Sequence, residues 1–368
     1  MRFDLLLVAA SVVSAGSLLP RQKPNAPKAP KAPNLPANNF PSFPTISLDD
    51  ARKGKDLPNG FNNTPPTADF ARPATFSAAD AGACAARPNM RREWKRYPRA
   101  DRLAFMNAIR CLINRPPSGN FSPARNRFED FVRLHQRFMP NIHGNPKFLI
   151  WHRYYLWTFE QVLRSECGFN RDFPWWDETL DAGRFAQSDI FGSDYFGALP
   201  TSNSGPVCIT NGAFAGLTCN IGPGQSNRAH CLSRRVDESL TANSNADFVR
   251  TCNNRNSYAD MASCAEGGPH AYGHNGMGGV MADVWASPSD PIFWMHHAFV
   301  DHGLRIWQNG APSRRTTING KDVHGNDLTL DTWVDVGGIR PNVRIRDILD
   351  TMGGIPIGGV PFCYRYDY

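Results

Sequence analysis

Apolar residues recur at helical spacing around two histidines of this chain. In the stretch FEDFVRLHQ, Phe128, Phe131 and Val132 stand seven, four and three positions before His135, so the four side chains share one face of a predicted helix. After His152 the same spacing continues in WHRYYLWTFEQVL, at Tyr155, Leu156, Phe159 and Leu163. The pattern predicts two amphipathic helices that each turn a histidine toward the protein interior.

A third helix is predicted in the run SPSDPIFWMHHAFVDHGL. Ser289 or Asp290 fits its N-cap, and Pro291 fits its first helical position. Both histidines of the pair have apolar neighbours at helical spacing, so periodicity does not choose between His296 and His297. The apolar stripe that includes His297 is Phe293, His297, Val300 and Leu304.

The histidines of the chain are clustered in sequence. Six of the ten fall into two groups of three, which are His135, His143 and His152, then His270, His274 and His297. A lone buried histidine is usually a hydrogen-bonded core residue. His135 and His152 stand on apolar helical stripes, and His270 and His274 stand one helical turn apart, which favours metal binding over a core role for the set.

Three imidazole ligands for each ion predict a reactive metal site. Imidazole nitrogen suits copper, zinc, iron and nickel, and three such ligands leave coordination positions open for oxygen or substrate. A zinc hydrolase of the HExxH type is excluded, because Ala271 occupies the glutamate position in HAYGH. A redox-inactive binding module with a structural metal is an alternative interpretation, and metal analysis would distinguish it from a reactive metal site.

Four motifs carry a resemblance to a known family. NIHG, FLIWHRYYLWTFE, PHAYGH and DPIFWMHHAFVDH closely resemble the two copper-binding regions of the type 3 copper proteins, which are tyrosinases, catechol oxidases and haemocyanins. The resemblance runs from about Cys84 to the carboxyl end. It implies a mainly α fold, a four-helix bundle that carries a dinuclear copper centre, with long disulfide-tied loops and little β structure. It also implies one copper ion on His135, His143 and His152 and another on His270, His274 and His297.

The same resemblance assigns roles next to the ligands. Glu266 stands four residues before His270, where relatives place a catalytic glutamate that holds a water near the second copper; the alternative is a loop carboxylate in solvent. Relatives that hydroxylate monophenols often carry Asn directly after the first ligand of the second triad, where this chain has Ala271. Diphenols are therefore expected to be better substrates than monophenols.

Three further residues are candidates around the substrate. Asn275 follows His274 and either contacts substrate or bonds the loop. Ala286 stands where some relatives place a bulky gate residue, which predicts a wide entrance. Asp301, four residues after His297, either orients a ligand imidazole or forms a helix salt bridge.

These features predict a copper-dependent polyphenol oxidase of the catechol oxidase or tyrosinase type. Dioxygen would be its co-substrate, and o-diphenols and related substituted phenols would become o-quinones. Two alternatives stay open: a true tyrosinase that also hydroxylates monophenols, and a non-catalytic oxygen-binding protein like haemocyanin. The expected partners are small phenols and dioxygen, with the monomer favoured. The net charge of +7 comes without a nucleic-acid recognition fold, so no nucleic-acid partner is expected.

The amino-terminal sequence predicts export. Residues 1–15 combine Arg2, an apolar run and small residues near Ala15, as in a secretory signal peptide, and the run is too short to cross a membrane. Residues 16–75 are rich in proline, lysine and asparagine and predict a flexible leader or linker. Residues 76–368 would form the copper domain of a secreted, extracellular protein with no membrane partner.

Cysteines and chain ends complete the expectations. Nine cysteines in a secreted chain predict disulfides with at least one cysteine unpaired, and spacing does not give the pairing. Residues 181–264 predict loops near the active site, with one or two short helices, for instance around Leu232 to Leu240. Asn62 and Asn120 stand in glycosylation sequons. The final Tyr364-Arg365-Tyr366 resembles the motif that closes the family's catalytic domain, so no carboxyl-terminal lid domain is expected and any latency would come from the amino-terminal segment.

Overall fold

The computed structural model describes residues 40–57 and 81–368 of the chain, and it is mainly helical, as predicted. A π-helical turn, Glu266–His270, joins α8 to α9. The helices are α1 Leu48–Arg52, α2 Ala81–Ala86, α3 Arg99–Asn114, α4 Arg127–Ile142, α5 Lys147–Cys167, α6 Glu238–Thr241, α7 Ala246–Asn253, α8 Tyr258–Ala265, α9 Ala271–Met277, α10 Phe293–Asn309 and α11 Ile345–Ile348. The 3₁₀ turns are Trp94–Arg96, Glu178–Leu180, Phe185–Gln187, Asp189–Phe191, Gly279–Ala282, Ser287–Ser289 and Pro312–Arg315.

The strands are short, so the described chain has little β structure, as predicted. One sheet has three parallel strands in the order β11-β1-β2, and the other described sheets are the antiparallel pairs β3-β6, β4-β5, β7-β8 and β9-β10. The strand bounds are β1 Asn89–Glu93, β2 Phe173–Trp175, β3 Val207–Cys208, β4 Thr218–Cys219, β5 His230–Cys231, β6 Ser233–Arg234, β7 Trp333–Val334, β8 Val343–Arg344, β9 Ile355–Ile357, β10 Val360–Phe362 and β11 Tyr364–Tyr366.

Helix α5 is the centre of the core. It packs against α3, α4 and α10, and every residue from Phe148 to Leu163 is buried, which explains why its sequence is apolar on several faces. Helix α4 begins where the Asn126 side chain accepts a hydrogen bond from the Glu129 amide at 2.9 Å. The predicted helices around His135 and His152 are therefore present, whereas the four-helix bundle itself stays a prediction.

A buried ionic network joins β1 and β11 to α5 and α10, two of the three long helices that carry histidines. Asp301 of α10 accepts hydrogen bonds from Arg153 of α5 at 2.6 Å and from Arg91 of β1 at 2.9 Å. The hydroxyls of Tyr364 and Tyr366 donate to the same carboxylate at 2.6 and 2.7 Å. The terminal tyrosine motif therefore fixes α5 and α10 relative to each other.

All nine cysteines lie in the described part of the chain. Cys219 is free and buried, which confirms the expected unpaired cysteine. The other eight form four disulfides, which are Cys84–Cys363, Cys111–Cys167, Cys208–Cys231 and Cys252–Cys264. The first of these closes the same region as the β1-β11 pairing. Cys208–Cys231 ties down the segment between α5 and α6, and Cys252–Cys264 joins α7 to α8.

The prediction of a flexible leader is wrong for residues 40–57. This stretch is ordered and contains α1, whose N-cap is the Ser47 side chain. Phe43, Ile46 and Leu57 are buried within it, so the segment has apolar anchors that its proline and lysine content concealed. The predicted signal peptide, the rest of the leader and Asn62 lie outside the described residues, while Asn120 is exposed.

Two predicted helix positions also differ from the structure. The residues from Leu232 to Asp237 are extended, and α6 begins only after Asp237, whose side chain caps it. Helix α10 begins at Phe293, two residues later than predicted, and without a side-chain cap. The Asp290 carboxylate accepts from the Ile292 amide at 3.2 Å and forms a buried ion pair with Arg234 at 2.7 and 2.8 Å. Within the described ranges, no helix combines the length and the hydropathy that a bilayer span requires.

Candidate metal centre

The first histidine group lies where α4 and α5 meet. His135 is on α4, His143 directly follows that helix, and His152 is on α5. The three are buried, and one ring nitrogen from each lies within 4.8 Å of the other two. The Nε2 atoms of His135 and His143 are 3.2 Å apart. Two nitrogens that each lie about 2.0 Å from one ion stand roughly 3 Å apart, so this spacing fits a shared metal.

The second group is built by the π-helical turn, α9 and α10. His270 ends the turn and His274 follows on α9, while His296 and His297 come from α10. All four are buried and can offer nitrogens within 4.8 Å of one another. The Nε2 atoms of His274 and His297 are 3.2 Å apart, the same spacing as in the first group.

The two groups face each other. The rings of His152 and His297 are stacked, with centroids 4.5 Å apart and 18° between their planes. The rings of His143 and His270 are 5.8 Å apart. The sequence-predicted ligands are therefore brought together as two adjacent triads, and His296 is a fourth histidine beside the second one.

Backbone carbonyls fix which nitrogen of most rings is available to a metal. The Nδ1 atoms of His135 and His152 lie 2.9 Å from the carbonyls of Trp285 and Phe148. A carbonyl oxygen only accepts, so each Nδ1 must carry the proton and Nε2 keeps its lone pair for a metal. The same holds in the second group, where Nδ1 of His270 lies 3.0 Å from the Glu266 carbonyl and Nδ1 of His274 lies 2.7 Å from the Met281 carbonyl.

Burial keeps these imidazoles neutral. It lowers the pKa of His135 to about 4, because a charged ring is poorly solvated there. Burial first, and then the neighbouring imidazoles, hold the pKa values of the other five well below 6.5. Those five are His143, His152, His270, His274 and His297. Neutral imidazole is the form that binds metals.

Unpaired nitrogens provide a test of metal binding. Nε2 of His152 and Nε2 of His270 are buried without a hydrogen-bond partner. Buried polar atoms are almost always paired, so such orphans call for a missing ligand. Both atoms belong to the side of the ring that the carbonyl bonds leave free, one in each triad. The residues present therefore fit two metal ions.

Comparison with known proteins supports this interpretation. The model of the common central domain of tyrosinase matches residues 125–310, a range that contains all six histidines of the triads. The chain belongs to the tyrosinase family. Tyrosinase P of Aspergillus terreus is 29% identical over 333 residues, which cover 76% of this chain and 92% of that protein. Oxidase hkm6 of Aspergillus hancockii is 30% identical over 295 residues, with 65% and 99% covered.

A solved structure is similar as well. A single-residue variant of a polyphenol oxidase from Thermothelomyces thermophila superposes with a TM-score of 0.66 at 25% sequence identity, covering 78% of this chain and 92% of that one. The protein is thus a type 3 copper protein of the tyrosinase family, whose centre is implied to hold two copper ions.

Glu266 is next to the first triad of this tyrosinase-family centre. Its Oε1 lies 2.9 Å from Nδ1 of His143 and accepts from the Gly144 amide at 2.8 Å. Burial raises the pKa of Glu266 to about 8, and the Gly144 hydrogen bond opposes this rise. The carboxylate is 4% exposed, which contradicts the alternative of a solvated loop residue. Its role as holder of a water near the second copper stays a prediction.

Sequence reasoning missed the pair formed by His296 and Glu178. Nδ1 of His296 lies 2.6 Å from Glu178 Oε1, and both side chains are fully buried. Their closeness depends on Gly273, where a Cβ would lie 2.6 Å from the His296 ring and 2.8 Å from Glu178 Oε2. Burial raises the pKa of Glu178 well above 4.5 and lowers that of His296 to about 3. Nε2 of His296 has no hydrogen-bond partner.

The three predicted substrate-shaping residues are each in contact with another segment of the chain. Ala271 is buried in a small apolar cluster with Phe43, and the Asn275 side chain bonds the backbone of Phe43. Ala286 is 1% exposed, and a side chain on Gly222 would come within 2.8 Å of its Cβ. The wide entrance predicted at Ala286 is therefore wrong for this structure, because the Gly222 loop covers that residue.

Asp301 does not contact a ligand imidazole. Its two oxygens are used by Arg153, Arg91, Tyr364 and Tyr366 in the buried network at the end of the chain. Of the two predicted roles, the salt bridge is present, although it joins different elements instead of one helix. Nδ1 of His297, which Asp301 was a candidate to orient, has no hydrogen-bond partner.

Proposed function

We propose that this protein is a secreted polyphenol oxidase that uses two copper ions and dioxygen to oxidise o-diphenols and related substituted phenols to o-quinones. The observation that carries the proposal is the pair of facing triads whose Nε2 atoms converge on two adjacent positions. Copper, when bound, supplies a two-electron exchange between diphenol and dioxygen. The net reaction converts two diphenols and one dioxygen into two o-quinones and two waters.

The side chains and backbone of the protein orient the ligands, exclude water from the site and accept a proton. The carbonyls behind His135, His152, His270 and His274 hold the rings in the metal-binding tautomer. The buried apolar residues around the triads exclude water. Glu266 Oε1 lies 2.9 Å from Nδ1 of His143, and its carboxylate is the proposed acceptor of the phenolic proton.

His297 is the proposed third ligand of the second triad. Its Nε2 has the ligand-like spacing of 3.2 Å from His274, and its ring stacks on His152 of the other triad. His296 is held from behind by the Glu178 carboxylate at 2.6 Å. We assign His296 a supporting position because its ring has no such contact with the first triad.

Diphenols are the proposed preferred substrates. Ala271 is an apolar residue beside the second triad, so no side-chain amide at that position assists Glu266 in polarising a water. Oxidation of a diphenol needs no oxygen insertion, whereas hydroxylation of a monophenol does. The lack of one polar group should therefore affect monophenols more.

Oxygen uptake by the copper-loaded protein tests the proposal. A panel of o-diphenols, methoxyphenols and monophenols is supplied, and dioxygen and quinone are followed together. The expected result is one dioxygen consumed for two o-quinones, with diphenols fastest and no uptake by the metal-free protein. Reversible dioxygen binding without quinone would identify an oxygen carrier instead and overturn the proposal.

A further inference from the structure

Residues 40–57, here called the strap, cross the metal centre on the side of the second triad. The Pro41 carbonyl accepts from the Val284 amide at 2.9 Å, and the Ile46 amide donates to the Gly267 carbonyl at 2.9 Å. Residues 40–47 belong to no helix, strand or turn. The strap is therefore bound through its main chain, in the manner of a peptide in a groove.

Asn275 binds the middle of this stretch. The Phe43 amide donates to Asn275 Oδ1 at 3.1 Å, and Asn275 Nδ2 donates to the Phe43 carbonyl at 2.9 Å. One side-chain amide thus pairs with both main-chain groups of a single residue. These hydrogen bonds involve only main-chain atoms of Phe43, so its side chain is free to enter the site.

The Phe43 ring lies on the histidines of both triads. It stacks on His274 with centroids 4.2 Å apart and 23° between the planes. It also meets His270 edge-on at 5.0 Å and His143 at 5.6 Å. Phenylalanine has no donor atom, so the ring fills this space without acting as a ligand. A phenol that brings its oxygen to metals held by these histidines needs the same space.

The walls of the space around Phe43 suit an aromatic ring. Phe43 is 4% exposed and packs with Met139, Ala271, Val284 and Trp285. These side chains are apolar or aromatic and carry no charge. The polar contacts to residues 41–46 of the strap come from Asn275 and from backbone groups, so the groove selects a main-chain segment and an apolar ring together.

The carboxyl-terminal part of the strap is anchored in an apolar cluster separate from the one around Phe43. Ile46, Ala51 and Leu57 are buried in a separate cluster with Phe248 and Cys252. The Leu57 amide donates to Ser263 Oγ at 2.8 Å, and the Ala51 carbonyl accepts from Arg255. This anchor keeps the local concentration of Phe43 at the groove high, which favours docking over release.

We propose that this groove is a binding site for an extended peptide segment with an aromatic side chain, filled in cis by the strap, and that its occupation closes the dinuclear centre to phenols. The second half of the inference rests on the proposed function, whereas the docking of the strap does not. If docked and undocked states exchange, the apparent affinity for phenols is reduced by the undocked fraction. Weakening the docked state should restore access.

Phe43→Ala in the full-length, copper-loaded protein is the first test, with Phe40→Ala as the matched control. Phe40 belongs to the same segment, but its ring contact is with His230 at 6.1 Å. We expect Phe43→Ala to lower the apparent KM for an o-diphenol by about tenfold or more. Phe40→Ala should change it by less than about twofold. Equal KM values for wild type and Phe43→Ala would overturn the closure.

A measurement without turnover keeps the test independent of oxidase activity. Binding of 4-nitrocatechol is followed by its visible absorption in the copper-loaded protein without dioxygen. Phe43→Ala and Ile46→Asp, which places a charge in the apolar anchor cluster, should both bind it about tenfold tighter than wild type. Unchanged binding in both variants would overturn the proposal even if the protein showed no oxidase activity.

Hydrogen exchange in the copper-free protein tests the docking itself. The amides of Phe43, Ile46 and Leu57 should be protected in the wild type and lose protection in Ile46→Asp. Exchange of these amides at the rate of an unfolded peptide in the wild type would show that the strap does not dock. Protected amides in a protein that never oxidises phenols would instead contradict the proposed function and leave the docking supported.

Discussion

The two histidine triads differ in how their rings are held. In the first triad, every Nδ1 has an acceptor within 2.9 Å, which is a carbonyl for His135 and His152 and a carboxylate oxygen for His143. In the second triad, His270 and His274 are held by carbonyls, but Nδ1 of His297 has no partner. His296 stands next to it with a carboxylate of its own.

The difference indicates that the two triads position their ligands in different ways. A ligand whose second nitrogen is hydrogen-bonded has its orientation and tautomer fixed before the metal arrives. The first triad is therefore preorganised throughout, whereas the second relies on helix packing to place His297. Phe43 stacks on His274 of the second triad, so that triad is also the one the strap covers. We expect the second site to lose copper first.

The largest effect should come from His297→Ala. The variant should retain one copper ion in place of two and lose oxidation, because the second triad keeps only two ligands. His296→Ala, the neighbouring control on α10, should keep most of the metal. Copper is measured by elemental analysis of the desalted proteins. If the losses were reversed between the two variants, His296 would be the ligand.

Asp301→Asn should destabilise both sites equally, since Asp301 joins the helices of His152 and His297. Removing one partner from a buried ionic network costs about 3 to 5 kcal/mol, because Arg153 and Arg91 would stay charged and buried. Asp350→Asn is the control. Asp350 pairs with Arg305, which lies on α10 like Asp301, but this ion pair is partly exposed and contributes about 1 kcal/mol or less to the free energy of unfolding. Free energies of unfolding measured in denaturant test this. Similar losses in both variants would contradict it.

The difference in the free energy of unfolding between wild type and Asp301→Asn should depend on pH. Burial alone would raise the pKa of Asp301, but Arg153, Arg91 and the two tyrosine hydroxyls outweigh it and hold the pKa below 3.8. A carboxyl with a depressed folded pKa stabilises fully above its unfolded value of about 3.9, and this contribution is lost as the pH falls through the folded value. The stability gap between wild type and Asp301→Asn should therefore narrow below about pH 4. A constant gap down to pH 3 would argue against this assignment.

Glu266→Gln should weaken the first site alone. Loss of the carboxylate behind a metal-binding histidine typically costs about 10- to 100-fold in metal affinity. Glu178→Gln is the matched control, because it alters a buried carboxylate behind His296, which we do not count as a ligand. Copper affinities are measured by competition with a chelator. An equal loss in the two variants would place His296 among the ligands.

Ala271→Asn should change substrate preference without changing copper content. The added amide is expected to raise monophenol turnover relative to diphenol turnover by about 10- to 100-fold, or roughly 1.4 to 2.7 kcal/mol. Ala271→Val supplies bulk without an amide and should leave the ratio unchanged. Turnover of a matched monophenol and diphenol is measured for each variant. An identical shift in both variants would show that bulk against Phe43, and not polarity, sets the ratio.

The sequence predicted the ligands because their signals are local. Helical spacing places His135 and His152 on apolar faces, and the four-residue interval places His270 and His274 together, whatever the rest of the fold does. The choice of His297 over His296 came from the resemblance to the family, since both have apolar neighbours at helical spacing. The unpaired cysteine followed from the odd count.

What surrounds the ligands depended on contacts between distant parts of the chain. His143 and Glu266 are 123 residues apart, His296 and Glu178 are 118 apart, and Phe43 and Asn275 are 232 apart. No periodicity links such pairs, because they are chosen by how helices and loops pack and by which buried polar atoms remain to be satisfied. The amino-terminal stretch shows this most clearly: its composition reads as a solvated leader, and only the tertiary structure places Phe43 on the histidines.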